Sequence, residues 1–245
     1  EFSLNTKNII TDSFSWTTDF NIAFNKNKIL KLPDNNADVR YATAPASFLQ
    51  PDSQVLRVGQ PVGAFYGYIY DGVIQTPRTN LTSFTGFEIA PGGENFRDVN
   101  GDNILNSSDK TIIGDPNPDY ILGFNNDFKY KNFDLNIFFQ GSVGGEILSY
   151  TLLELASGTA NATTNALNAW TTTNTDTDVP SAKVRTKFIS SRFVYDASYI
   201  RLKNISIGYN LPKDFVTRIG LSRARFYVSA QNLWTLTEYP GADPA

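Results

Sequence analysis

From Phe14 to Phe24 the chain alternates with a period of two. Phe14, Trp16, Phe20, Ile22 and Phe24 share one parity with Thr18, while Ser15, Thr17, Asp19, Asn21 and Ala23 hold the other. Side chains on a strand point to opposite faces in turn, so this segment has one greasy face and one small, polar face. A strand of about 11 residues, tilted, is long enough to cross a bilayer. Asn25-Lys26-Asn27-Lys28 then reads as a polar tight turn.

The same pattern returns in a hairpin. Tyr120, Leu122, Phe124, Phe128 and Tyr130 share a face that only Asn126 interrupts. Beyond a turn at Lys131-Asn132, Leu135, Ile137, Phe139 and Val143 oppose Asp134, Asn136, Gln140 and Ser142, with Phe138 as the exception. A further pair sets Ile205, Ile207, Tyr209 and Leu211 against Asn204, Ser206, Gly208 and Asn210. Its mate sets Ala224, Phe226, Val228, Ala230 and Trp234 against Arg223, Arg225, Tyr227, Ser229 and Gln231. A connection with a helical turn joins them over 212–222. A shorter aromatic strand is expected over 64–73, where Tyr66, Tyr68 and Tyr70 suit an interfacial girdle or wall packing.

Strands this long exceed the usual 5–6 residues. The connections also look polarised: short turns follow Phe24, Tyr130 and Leu211, and long polar loops occupy roughly 77–118 and 144–198. Outer-membrane barrels have short turns on one side and long loops on the other. A half-buried strand of a secreted sandwich alternates too, so pattern alone leaves two all-β readings open.

Composition removes other classes. The chain has no Cys and no His, which excludes disulfides, thiolate chemistry, His-bearing zinc sites and the commonest general base. A net charge of -3 without a basic stripe gives no case for nucleic acid. Charged residues are only 18% against about 25% in an ordinary soluble domain, which suits either all-β reading. No spacing singles out a glycosidase-like carboxylate pair, so the chain is not read as an enzyme. No run approaches the roughly 20 apolar residues of a membrane helix.

Residues 98–109 read DVNGDNILNSSD. Asp98, Asn100 and Asp102 take positions 1, 3 and 5 of a twelve-residue calcium loop. The Ile104 carbonyl falls at 7, Asn106 at 9 and Asp109 at 12. Calcium asks for six to eight hard oxygens, which alternating carboxylates and amides supply locally. Position 6, normally Gly for its positive φ, is Asn103, and Asn tolerates that conformation better than most residues. The plain alternative is an Asx-rich surface turn that needs no ion.

Several segments in order resemble the C-terminal region of SusC/RagA-type TonB-dependent importers of Bacteroidota. They are FNIAFNKNKIL at 20–30, GQPVGAFYGYIYDGVIQT at 59–76 and FRDVNGDNILNSSDKTIIGDPNPDYILGFNNDFKYKNFDLNIFFQGSVGGEI at 96–147. They continue as SSRFVYDASYIRLKNISIGYNLP at 190–212 and ARFYVSAQNLWTLTEYPGADP at 224–244. The resemblance implies one transmembrane antiparallel β-barrel domain of about 22 strands, of which residues 1–245 supply a part. It further implies an N-terminal plug, coupling to TonB through regions outside this sequence, and a SusD-like lipoprotein lid. The implied activity is import of oligosaccharides or oligopeptides across the outer membrane. At about 10 residues per strand, 245 residues with two long loops cannot supply so many strands, so the sequence is expected to be part of a longer protein. The runner-up is a secreted, calcium-stabilised β-sandwich that binds glycans or acts as an adhesin.

Overall fold

In a computed structural model the described residues are 1–41, 52–83, 89–156, 161–184 and 188–244. Parts of the predicted loops 77–118 and 144–198 therefore lie outside them, at 84–88, 157–160 and 185–187. Six long strands dominate: β1 (Phe2–Ile10), β2 (Phe14–Ala23), β3 (Tyr120–Tyr130), β4 (Phe133–Val143), β5 (Tyr199–Asn210) and β6 (Arg225–Thr237). Each pairs antiparallel with its neighbours in chain order, as an up-and-down meander. No described helix is long and apolar enough to cross a membrane, which says nothing about crossing by strands.

The register lines up the alternating positions into rows across the whole sheet. One row runs Ile9, Trp16, Phe128, Leu135, Ile207, Val228. Two rows on, it is Leu4, Phe20, Phe124, Phe139, Leu202, Trp234. At one end of the sheet five consecutive strands contribute Phe14, Tyr130, Phe133, Tyr209 and Phe226, a belt of aromatic rings. Such belts sit where hydrocarbon gives way to headgroups, because the rings are apolar bodies that tolerate a polar surround. The expectation that Tyr66, Tyr68 and Tyr70 serve as girdle or wall is corrected. Tyr66 and Tyr68 are buried in the connections, Tyr68 against Phe96 at 5.4 Å and Tyr66 under Arg40 at 5.2 Å. The single aromatic strand expected there is two, Phe65–Gly67 and Tyr70–Val73.

All three short connections lie at the aromatic-belt end: 11–13, 131–132 and 211–224. The last contains the helical turn Lys213–Arg218. The long ones, 24–119 and 144–198, lie at the other end. This corrects the tight turn expected at Asn25–Lys28. Instead the chain runs on, and Ile29 exchanges backbone hydrogen bonds with Gln60 and Gly59 at 2.9 Å each. The polarity of the connections survives the correction and becomes cleaner.

The long connections fold into a body of their own. It contains a four-stranded sheet in the order Thr111–Gly114, Phe65–Gly67, Gln54–Leu56, Val39–Tyr41. Its main cluster joins Phe65 of the first connection to Leu148, Leu153, Ile189 and Phe193 of the second. Every buried hydrophobic residue described belongs to these connections or, as Val216, to the turn at the far end; none belongs to the six long strands. Among the described residues the sheet is a single layer without a core on its apolar face.

Candidate functional site

The acidic loop is folded around its own side chains. Asp98 accepts backbone N–H bonds from Gly101 at 2.7 Å and Asn103 at 2.8 Å through its two carboxylate oxygens. Asn100 Oδ1 accepts from the Asp102 amide at 3.0 Å, and Asp102 Oδ1 from the Ile104 amide at 2.8 Å. Gly101 and Asn103 both take positive φ, +75° and +61°, so Asn103 fills the role expected of position 6. The Asn106 side chain accepts from the Ser108 amide while Asp109 accepts from the Asn106 amide, a capping box around Ser107–Asp109.

Asp98, Asn100 and Asp102 stand on the outer lip, and Asp109 is fully buried with its second oxygen on the Val99 amide at 2.9 Å. Desolvation pushes the Asp98 carboxyl up, but bonds from the Asn103, Gly101 and Asp102 backbone outweigh it, and it sits below the usual carboxylate range. The Ile104 carbonyl accepts from Asn106 Nδ2 at 3.1 Å. Among the described residues no three acidic, His or Cys side chains gather closely enough to hold a metal ion.

Packing holds the loop to its base. Ile104–Leu105 pairs in parallel with Thr82–Ser83, and Leu105 enters a cluster with Tyr68, Leu81 and Phe96. Burial, aided by the nearby Asp109 charge, pushes the Tyr68 phenol up to about 12.

Sequence reasoning missed a latch between the two long connections. Trp170 donates its indole N–H to Gln75 Oε1 at 3.0 Å, and its ring lies over Gly92. Ser181 N–H bonds the Gly92 carbonyl at 2.8 Å. A Cβ on Gly92 would meet the Trp170 ring at 2.6 Å, and its φ is +89°. No local motif announces a contact spanning 95 residues.

The second face of the barrel sheet is polar and internally bonded. Asn136 Nδ2 donates to Asn125 Oδ1 at 2.7 Å and Asp127 Oδ1 at 2.9 Å, and Asn204 Nδ2 to Asn136 Oδ1 at 3.0 Å. Arg225 pairs with Asp134 at 2.5 Å across Gly208, where a Cβ would strike both side chains. The register places Gln140 and Gln231 on the same face.

Comparison with known proteins gives the geometry its relatives. A TonB-dependent receptor of Formosa agariphila, designated P3, is 55% identical over 245 residues, all of this chain and 24% of the receptor. The TonB-dependent receptor SusC of Bacteroides thetaiotaomicron is 29% identical over 254 residues, covering all of this chain and 23% of SusC. A solved structure described as the RagAB peptide transporter superposes with a TM-score of 0.76 at 25% identity, over 99% of this chain and 26% of that one. The chain is related over its whole length to SusC/RagA-type TonB-dependent receptors. It spans about a quarter of the length of those it matches. No family model matches it. The six-stranded sheet thus matches in fold a part of the RagAB transporter structure, and the relatives are named as receptors and a transporter rather than as enzymes.

Proposed function

We propose that this chain forms part of the wall and the long-loop rim of an outer-membrane TonB-dependent importer of oligosaccharides or oligopeptides. The observation that carries the reading is the bare apolar face of β1–β6: alternating rows of Phe, Trp, Leu and Ile with no protein layer over them among the described residues. Such a face is stable against lipid and unstable against water. A secreted sandwich needs a second sheet packed about 10 Å above it, and the described residues supply none.

The long connections then stand on the extracellular side. There they meet a SusD-like lipoprotein lid and contribute to the surface facing substrate, while TonB engages regions outside this sequence. Calcium in the acidic loop belongs to the same proposal. Asp98, Asn100, Asp102, Asn106 and Asp109 with the Ile104 carbonyl would hold it, and the ion would offset the negative charge of the three carboxylates. An ion there stiffens the rim before the lid docks, which lowers the entropy lost on docking.

The test is the intact mass of the native protein from detergent-solubilised outer membranes, with co-purifying chains identified. A receptor of roughly 100 kDa or more, about four times the 27.2 kDa of this chain as its 24% share of a relative implies, found with a surface lipoprotein supports the proposal. A detergent-independent soluble species of 27.2 kDa sinks it.

A further inference from the structure

The three short connections at the aromatic-belt end differ in character. Thr11-Asp12-Ser13 and Lys131-Asn132 are polar, as water-facing turns should be, but residues 211–224 carry Phe215, Ile219 and Leu221, all about half exposed. The sequence builds this turn deliberately. Pro212 starts the Lys213–Arg218 helix, and Gly220, at φ +76°, ends it with Leu221 N–H bonded to the Val216 carbonyl at 2.9 Å. Val216 is 1% exposed and turns toward the protein. Phe215 and Ile219, four apart, share another face.

We propose that this turn is a membrane-interface anchor. Phe215, Ile219 and Leu221 enter the boundary between acyl chains and headgroups of the leaflet at the short-turn end, and Lys213 and Arg218 meet its phosphates. The occupant is lipid because the apolar surface continues one already facing lipid. Leu211 N–H bonds the Ala224 carbonyl, closing the turn onto β5 and β6, where Tyr209 and Phe226 end the aromatic belt. A short amphipathic segment with cations beside its greasy face is the chemistry that an interface selects. The anchor fixes the depth of β5 and β6, and β5 carries the second long connection at its other end.

The inference rests on the barrel reading, and the experiment separates the two. The chain has no Cys, so nitroxide labels go singly at Phe215→Cys, Ile219→Cys, Thr217→Cys and Ile207→Cys in the receptor containing this chain, in phospholipid nanodiscs. Collisions with oxygen, which favours lipid, are compared with those of a water-soluble nickel chelate. The anchor predicts an oxygen-to-nickel ratio at 215 and 219 several-fold above that at 217, and approaching that at 207. Ratios at 215 and 219 equal to that at 217 overturn it, as does protection from both probes, which would mean another protein segment covers the turn. A nickel-favoured label at 207 overturns the barrel reading itself, and the anchor with it.

Discussion

Asn126, the one interruption in the apolar face of β3, accepts the indole N–H of Trp16 through its Oδ1 at 2.9 Å. The same oxygen accepts from Thr18 Oγ1 at 2.8 Å, and Thr18 in turn accepts from Asn8 Nδ2 at 2.7 Å. A membrane-facing sheet has no water with which to satisfy stray donors. Asn126 is therefore the acceptor that lets Trp16 and Thr18 stand on that face.

Replacing Asn126 with Leu makes the face more apolar yet should destabilise the sheet, by about 1–3 kcal/mol, because it strands two donors. Trp16→Phe removes one of those donors while keeping an aromatic ring at the position where Trp16 stacks on Phe128 at 5.7 Å. In the double mutant the loss should be smaller than the sum of the single losses. Equilibrium unfolding in detergent measures all four proteins of the cycle. Strict additivity would mean that the bond contributes nothing.

The Trp170 latch should fail without touching Trp170. Gly92→Ala forces a Cβ into the ring and into a φ that costs L-residues roughly 1–3 kcal/mol. The expected outcome is faster protease cleavage within 161–184, with the barrel strands unaffected. Unchanged cleavage would show that the two connections are held together elsewhere.

Asp98→Ala and Asp102→Ala should weaken calcium binding to the acidic loop and calcium-dependent lid association, read by titration calorimetry and co-purification. Wild-type protein that takes up no calcium at this loop contradicts the ion. The pH response has a definite sign. Asp98 sits below its unfolded value, so its contribution is present above that value and lost as pH falls through the folded one. Asp38, held down chiefly by its hydrogen bonds to Arg57, behaves alike. Protection of both segments should stay level from about pH 8 to 5 and decline only below the ordinary carboxylate range.

What the sequence revealed depended on uninterrupted parity. β2, β3 and β4 pair with one another without a register shift and alternate with few exceptions, Asn126 and Phe138 among them, and are legible to within a residue or so at their ends. β1 was not, because its register shifts between Lys7 and Ile9. That shift moves the apolar parity from Phe2 and Leu4 to Ile9 and breaks the pattern in mid-strand. With β1 unseen, Asn25–Lys28 was read as the turn of β2, although its hairpin partner precedes it. A similar shift between Leu202 and Asn204 hid the first part of β5, where Ile200 and Leu202 take the parity opposite to Ile205. The acidic loop was readable because its bonds are local. The Trp170 latch and the burial of Tyr66 and Tyr68 were not, because they depend on where distant segments fold back.

The central claim is that the odd-numbered face of Ile205, Ile207 and Tyr209 meets lipid while Ser206 faces the lumen. Ile205 lies in the middle of the rows, level with Asn126 and Ile137. The direct test is the unfolding free energy of Ile205→Arg beside Ser206→Arg, in the receptor reconstituted in phospholipid. A membrane wall predicts a loss of about 2–4 kcal/mol for Ile205→Arg and little change for Ser206→Arg. Equal effects at the two neighbours, or the larger loss at Ser206, would contradict it.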